Sequence, residues 1–194
     1  MKIKNTEDRY GIIAISLHWL VALGFLVCYT AVYYRHWFTG KEDPASWTAL
    51  QLHLSFGITV AVFVSLRIIW KFINKQPNHV PGTKVEHFSA SAMHYALYAV
   101  MIIMPLTGYL GTGVNTEFFS MFDITMFKDT DIYNSLVTNG LSMSWEVFEP
   151  PVDFVHKQGG KFLVWVLILS HAGAALYHHY IRKDNVLKRM ISTK

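Results

Sequence analysis

The sequence predicts an all-α membrane protein, a bundle of four transmembrane helices with both termini in the cytoplasm. Three observations carry that prediction. The chain is 52% hydrophobic and only 15% charged, against roughly 25% charged in an ordinary soluble domain. Its apolar residues are gathered into four long runs. Its cations are distributed unevenly between the segments that join those runs.

The runs cover about 11–34, 48–70, 89–113 and 159–181, each near or above the roughly 20 residues a helix needs to cross a bilayer. They are continuous rather than alternating, which excludes membrane strands. Backbone groups in lipid must be satisfied within the segment, so each run is a helix. Within the first, His18 sits in SLHWLVALGFLVCY, and the lone Cys28 reads as a small apolar packing residue. The stretch before it, MKIKNTEDRYG, resembles a signal sequence, but the apolar run that follows is too long and has no small-x-small cleavage site. It is a retained span. The second run carries His53 near its start and Arg67 near its end. His87 stands at the inner entry to the third, which carries His94 near its start, and Pro77, Pro81 and Gly82 mark the loop before it. A long segment at about 115–150 follows, and Pro150 and Pro151 lead into the last helix, which covers 152–181. All 194 residues form one transmembrane domain.

Four helices put both termini on one side of the membrane. That side holds Lys2, Lys4, Arg9, Arg67, Lys71, Lys75, Lys84, Arg182, Lys183, Lys188, Arg189 and Lys194; the other holds Arg35, Lys41, Lys128, Lys157 and Lys161. The cation-rich side is cytoplasmic by the positive-inside rule, and the net charge of +4 reports orientation in the lipid bilayer rather than nucleic-acid binding. The acidic residues of the 115–150 segment lie outside, and Trp19, Trp37, Trp47 and Trp70 fall toward span ends, where an aromatic belt belongs.

Ionisable groups within spans are costly and mark functional sites. Helix 1 runs outward, so His18 lies in the inner half. Helix 2 runs inward, so His53 lies in the outer half. His156 stands at the outer start of helix 4, and His171 follows fifteen residues later, about 22 Å deeper and about 60° around the axis. The result is two levels, His18 with His171 inside and His53 with His156 outside. Facing helices presenting one imidazole each match the axial ligation of a flat haem b. Two such haems about 20 Å apart form an electron path across the membrane. Zinc would need three or four donors at one level, and the apolar runs hold no carboxylate. His94 enters at the inner level, where it competes with His18 or His171 as a ligand; the favoured reading makes it, with His178 and Arg182, a candidate for the surroundings of the inner haem or for a quinone pocket.

The runs AISLHWLVA, LQLHLSFGITVAVFVSLRIIW, MPLTGYL and SHAGAALYHHYIRKDNVLKRM resemble the bacterial cytochrome b561 family along nearly the whole chain. The resemblance implies a four-helix inner-membrane protein with two b haems that exchanges electrons with quinone, ubiquinone among them. It implies the same four axial ligands, His18 paired with His171 and His53 with His156. Relatives include a superoxide oxidase that reduces ubiquinone and, more distantly, cytochrome b subunits that anchor dehydrogenases and hydrogenases. The acidic outer segment is longer than in the compact members. An anionic donor such as superoxide requires a positive outer surface, hence a gathering of Lys128, Lys157 and Lys161; otherwise the segment caps the outer haem or docks a periplasmic redox partner.

Overall fold

In a computed structural model that describes residues 2–40 and 42–192, the chain forms four long helices and a small folded outer segment. Lys41 and Lys194, both counted in the charge asymmetry, lie outside the described residues. The helices are α1 (Ile12–Phe38), α2 (Pro44–Ile73), α3 (Lys84–Gly111) and a long final helix, Trp145–Arg182, and all four are long and apolar enough to cross a membrane. Large apolar side chains such as Leu23, Leu26, Ile69, Val166 and Leu169 are exposed on the outside of the bundle, where lipid is the solvent.

Helices α2 and α3 start several residues before their apolar runs, and side-chain caps hold those polar starts. Asp43 accepts from the Ala45 amide (2.8 Å) with Pro44 in the first turn, where the missing N–H is no loss. Thr83 and Glu86 form a reciprocal capping box that starts α3, meeting two otherwise unpaired donors at once. Pro150 and Pro151 do not precede the last helix, as the sequence suggested, but lie inside it, because it begins at Trp145. Sixth and seventh in the helix, they cannot donate to the carbonyls of Glu146 and Val147, both exposed residues.

Between α3 and the final helix come a hairpin, β1 (Thr116–Phe118) antiparallel to β2 (Phe122–Ile124), and a short helix α4 (Asp131–Tyr133) that continues through a π-helical stretch, Asn134–Gly140. The final helix is α5. Phe127, Tyr133 and Val137 bury themselves against Tyr109, Leu110, Trp145 and Phe148, so the outer segment has its own small core over the ends of α3 and α5.

At the opposite end the termini converge. The Asn5 amide donates to the Lys75 carbonyl, the Asn78 N–H to the Glu7 carbonyl, and Arg189 to the Asn78 carbonyl. Lys75 pairs with Glu7 and holds its carboxyl below the ordinary range. Burial tends to raise the Asp184 carboxyl, but the hydrogen bonds from His178 and the Val186 N–H and the charges of His178 and Arg182 together outweigh it, and the carboxyl titrates below its usual value.

The apolar core lies at mid-depth, where Val21, Val60, Val64 and Met101 form one buried cluster and Val100, Met104, Val164 and Leu167 another, with Phe25 packed against both. Helix α1 packs along α2, α2 on α3, and α3 on α5, while α5 makes few close backbone approaches to α1 or α2. The bundle is therefore open between α5 and the first two helices above and below the core. Those two openings hold the histidines.

The outer opening is roofed by the hairpin. Gln51 donates to the Asn115 carbonyl (3.1 Å) and accepts from the Glu117 N–H (2.8 Å), and Ser55, one turn on, accepts from the Phe119 N–H (3.1 Å). Gln51→Ala would leave the part-buried Glu117 amide and the Asn115 carbonyl without their partner, a loss of about 1 kcal/mol for each bond. The expected result is a hairpin cut several-fold faster by protease from the outer side, with the four spans still resistant.

Candidate functional site

The outer level is built from α2, α3 and α5. The rings of His53 and His156 face each other with centres 6.0 Å apart and planes at 81°. Each imidazole is oriented by a backbone carbonyl: Nδ1 of His53 donates to Cys28 (3.0 Å) and Nδ1 of His156 to Met104 (2.9 Å). A carbonyl can only accept, so both rings carry their proton on Nδ1, and Nε2 is left with its lone pair. That is the tautomer a metal-binding histidine needs, held by the partner such ligands usually have.

Glycine makes room for this arrangement. A Cβ on Gly108 would stand 2.8 Å from Cε1 of His156, so the ring lies directly on the α3 backbone. Around Gly57 there is nothing within 4 Å of a built Cβ. Gly57 lines a small open cleft of about 40 Å³ together with His53, His156, Gly108, Pro105 and Thr116. Thr116 belongs to β1, so the outer segment caps this site. Just beyond His156 the helix widens into a π-helical turn at Gly159–Leu163, a feature that recurs at functional sites. The angle reckoned on a regular helix therefore changes, yet His156 and His171 both face the first two helices.

The inner level is built from α1, α3 and α5. His18 and His171 face each other at 6.2 Å with planes at 56°, and His94 stands 5.7 Å from His171 on its other flank. Arg67 of α2 points Nη1 at Nδ1 of His18 (2.8 Å) and reaches the Tyr98 hydroxyl through Nε (3.4 Å). A guanidinium has no acceptor, so here Nδ1 of His18 accepts, the reverse of the outer pair.

Two imidazoles bound to opposite sides of one metal, each nitrogen about 2.0 Å away, have ring centres about 6 Å apart. Both pairs meet that spacing, and the open space at Gly57 admits a flat group beside the outer one. The residues present therefore fit a b haem held by two histidines. Among the described residues no group of three or more His, Cys, Asp or Glu side chains gathers at a common metal position.

His178 and Arg182 belong to a different cluster from His94. His178 pairs with Asp184, while Arg182 pairs with Glu86 and donates to the Pro81 carbonyl (3.1 Å). They tie the end of α5 to the 74–83 loop. The three described outer lysines each have a partner nearby: Lys157 with Asp153 (2.8 Å), Lys128 over the Trp145 ring and Lys161 over Phe162.

Arg67 was counted in the sequence only as a marker of orientation. Its signal was present, since a cation lay inside the apolar run VAVFVSLRIIW, where charges are costly. The carbonyls of Cys28 and Met104 had no signal at all.

A family model described as prokaryotic cytochrome b561 matches residues 9–193. Cytochrome b561 homolog 2 of Escherichia coli strain K12 is 30% identical, the match covering 98% of this chain and 95% of that protein. Cytochrome b561 homolog 1 of the same organism is 29% identical, over 95% and 97%. A probable superoxide oxidase CybB of Yersinia pestis is 23% identical, over 97% and 98%.

Proposed function

Because the chain belongs to the prokaryotic cytochrome b561 family, and so is a multi-pass electron-transfer protein of the bacterial inner membrane with b-type haem, we propose that it holds two haems and passes electrons from a periplasmic donor to the quinone pool. His53 and His156 are the axial ligands of the outer haem, and His18 and His171 those of the inner one. The observation that carries this reading is the pair of facing imidazoles at each level, 6.0 and 6.2 Å between ring centres. Each b haem supplies a one-electron iron couple when bound.

The chain's own residues do the rest. The Cys28 and Met104 carbonyls fix the outer imidazoles in the ligating tautomer. The mid-depth core between the two levels excludes water, keeping the path dry. His94, exposed beside His171, borders a pocket through which ubiquinone approaches the inner level from lipid, with the ion-paired His178 and Arg182 at its rim.

Superoxide is one donor, supported by the name of the Yersinia pestis relative. A second reading makes the chain an electron-transfer and membrane-anchor subunit of a periplasmic dehydrogenase or similar partner. It is favoured by exposed apolar side chains on the outer segment, Met121, Ile132, Leu136 and Leu141.

The test is a pyridine haemochrome count on purified protein, followed by quinone reduction with an enzymatic superoxide source. Two b haems per chain and superoxide-dependent ubiquinol formation establish the stand-alone oxidoreductase. Two haems with no turnover from superoxide favour the subunit. Folded protein without haem sinks both.

A further inference from the structure

We propose that Arg67, reinforced by Lys71, holds the inner haem at the higher of the two reduction potentials, so that electrons run from the outer histidine pair to the inner one. The proposal rests on the two-haem reading above and adds direction to it.

The two pairs differ in what meets their second nitrogens. Both outer imidazoles donate Nδ1–H to a backbone carbonyl, which makes Nε2 a stronger donor and favours ferric iron. At the inner level the group at Nδ1 of His18 is a guanidinium, 2.8 Å away, and it stays charged at any physiological pH. Arg67 has no carboxylate partner among the described residues. One turn further along α2, Lys71 places Nζ 4.1 Å over the Tyr98 ring, the same residue whose hydroxyl Arg67 reaches. Two cations without an acidic partner thus stand at the inner level, where dielectric screening is weak.

When iron takes Nε2 of His18, the ring proton belongs on Nδ1 and Arg67 turns off that nitrogen. Its bond to Tyr98 keeps it at the inner level. Positive charge beside the iron favours the state with one more electron, so the inner couple moves up. At the outer end Lys157 is neutralised by Asp153. Arg35 donates to the neutral Ser46 hydroxyl, two turns from His53 along α2, and keeps its charge, so the outer level too has a cation without a carboxylate among the described residues, but the inner level has two, one of them pointing at a ligand imidazole. In each transfer one electron leaves ferrous iron at the outer level, which becomes ferric, and reduces ferric iron at the inner level; no bond forms and no proton need move.

The experiment is a spectroscopic redox titration of haem-loaded protein, wild type against Arg67→Gln and Arg67→Lys, with His53→Ala identifying the inner couple. In wild type the inner couple should be the higher. Arg67→Gln should keep two haems and lower the inner couple's reduced-to-oxidised ratio about tenfold at fixed ambient potential, 59 mV for one electron. The outer couple should stay in place, and Arg67→Lys should restore most of the shift. An unmoved inner couple in Arg67→Gln, or an outer couple higher than the inner one in wild type, overturns the proposal. Should Arg67→Gln fail to retain the inner haem, Lys71→Gln carries the test: a smaller fall of the same sign supports the proposal and no fall overturns it. Wild-type protein without haem overturns it together with the reading beneath it, a result the haemochrome count gives before any titration.

Discussion

His53→Ala is expected to halve the haem content, from two b haems per chain to one, and His156→Ala to do the same. The two lie on separate helices and face one another at 6.0 Å, so on the proposed ligation either truncation removes one axial ligand of the same haem. The double variant should lose no more than each single one, the non-additivity expected of residues that act as one unit. His18→Ala and His171→Ala should remove the other haem. Combining one change from each level, such as His18→Ala with His53→Ala, should abolish the haem spectrum. His94→Ala is the control: it lies 5.7 Å from His171 and should leave two haems. Loss of a haem in that variant, with His18→Ala unaffected, would mean that the inner pair is His94 with His171.

Gly108→Val should remove the outer haem while leaving the inner one, although residue 108 itself ligates nothing. Even a single methyl there would stand 2.8 Å from Cε1 of His156, closer than real contacts come, and a tight 3.2 Å from Nδ1. The ring cannot yield freely, because Nδ1 is bonded to the Met104 carbonyl only one turn away. Valine therefore breaks that bond and turns His156 out of line with His53, and its second methyl enters the cleft both histidines share. The expected haemochrome signal is half that of wild type. The inner level is built from other residues, so the midpoint of the remaining haem should match that of His53→Ala. A variant that binds two haems with unchanged spectra would show that α3 does not press on the outer ligand.

The spans, their number and the four histidines were legible because the signals are local. A run of apolar residues reports its own environment, and helix rise turns positions into depths. From those depths alone His18 met His171 and His53 met His156 on paper, and the structure brings both pairs together. The ends of the helices were less legible. Pro150 and Pro151 read as a boundary and lie inside α5. The outer segment read as an acidic loop and folds as a hairpin and small core that roof the outer pair.

What the sequence determined by itself is which residues share a depth in the membrane, since depth follows from position along one helix. Only the tertiary structure decided what each imidazole's second nitrogen meets. Cys28 and Met104 contribute backbone atoms that every residue has. Arg67 reaches His18 only because α1 and α2 pack closely along their length. Such contacts depend on the rotation of one helix against another, and no single helix's sequence encodes that. They nonetheless set the tautomer, the orientation and the charge beside each ligand, which is where the two levels of an otherwise symmetrical site become different.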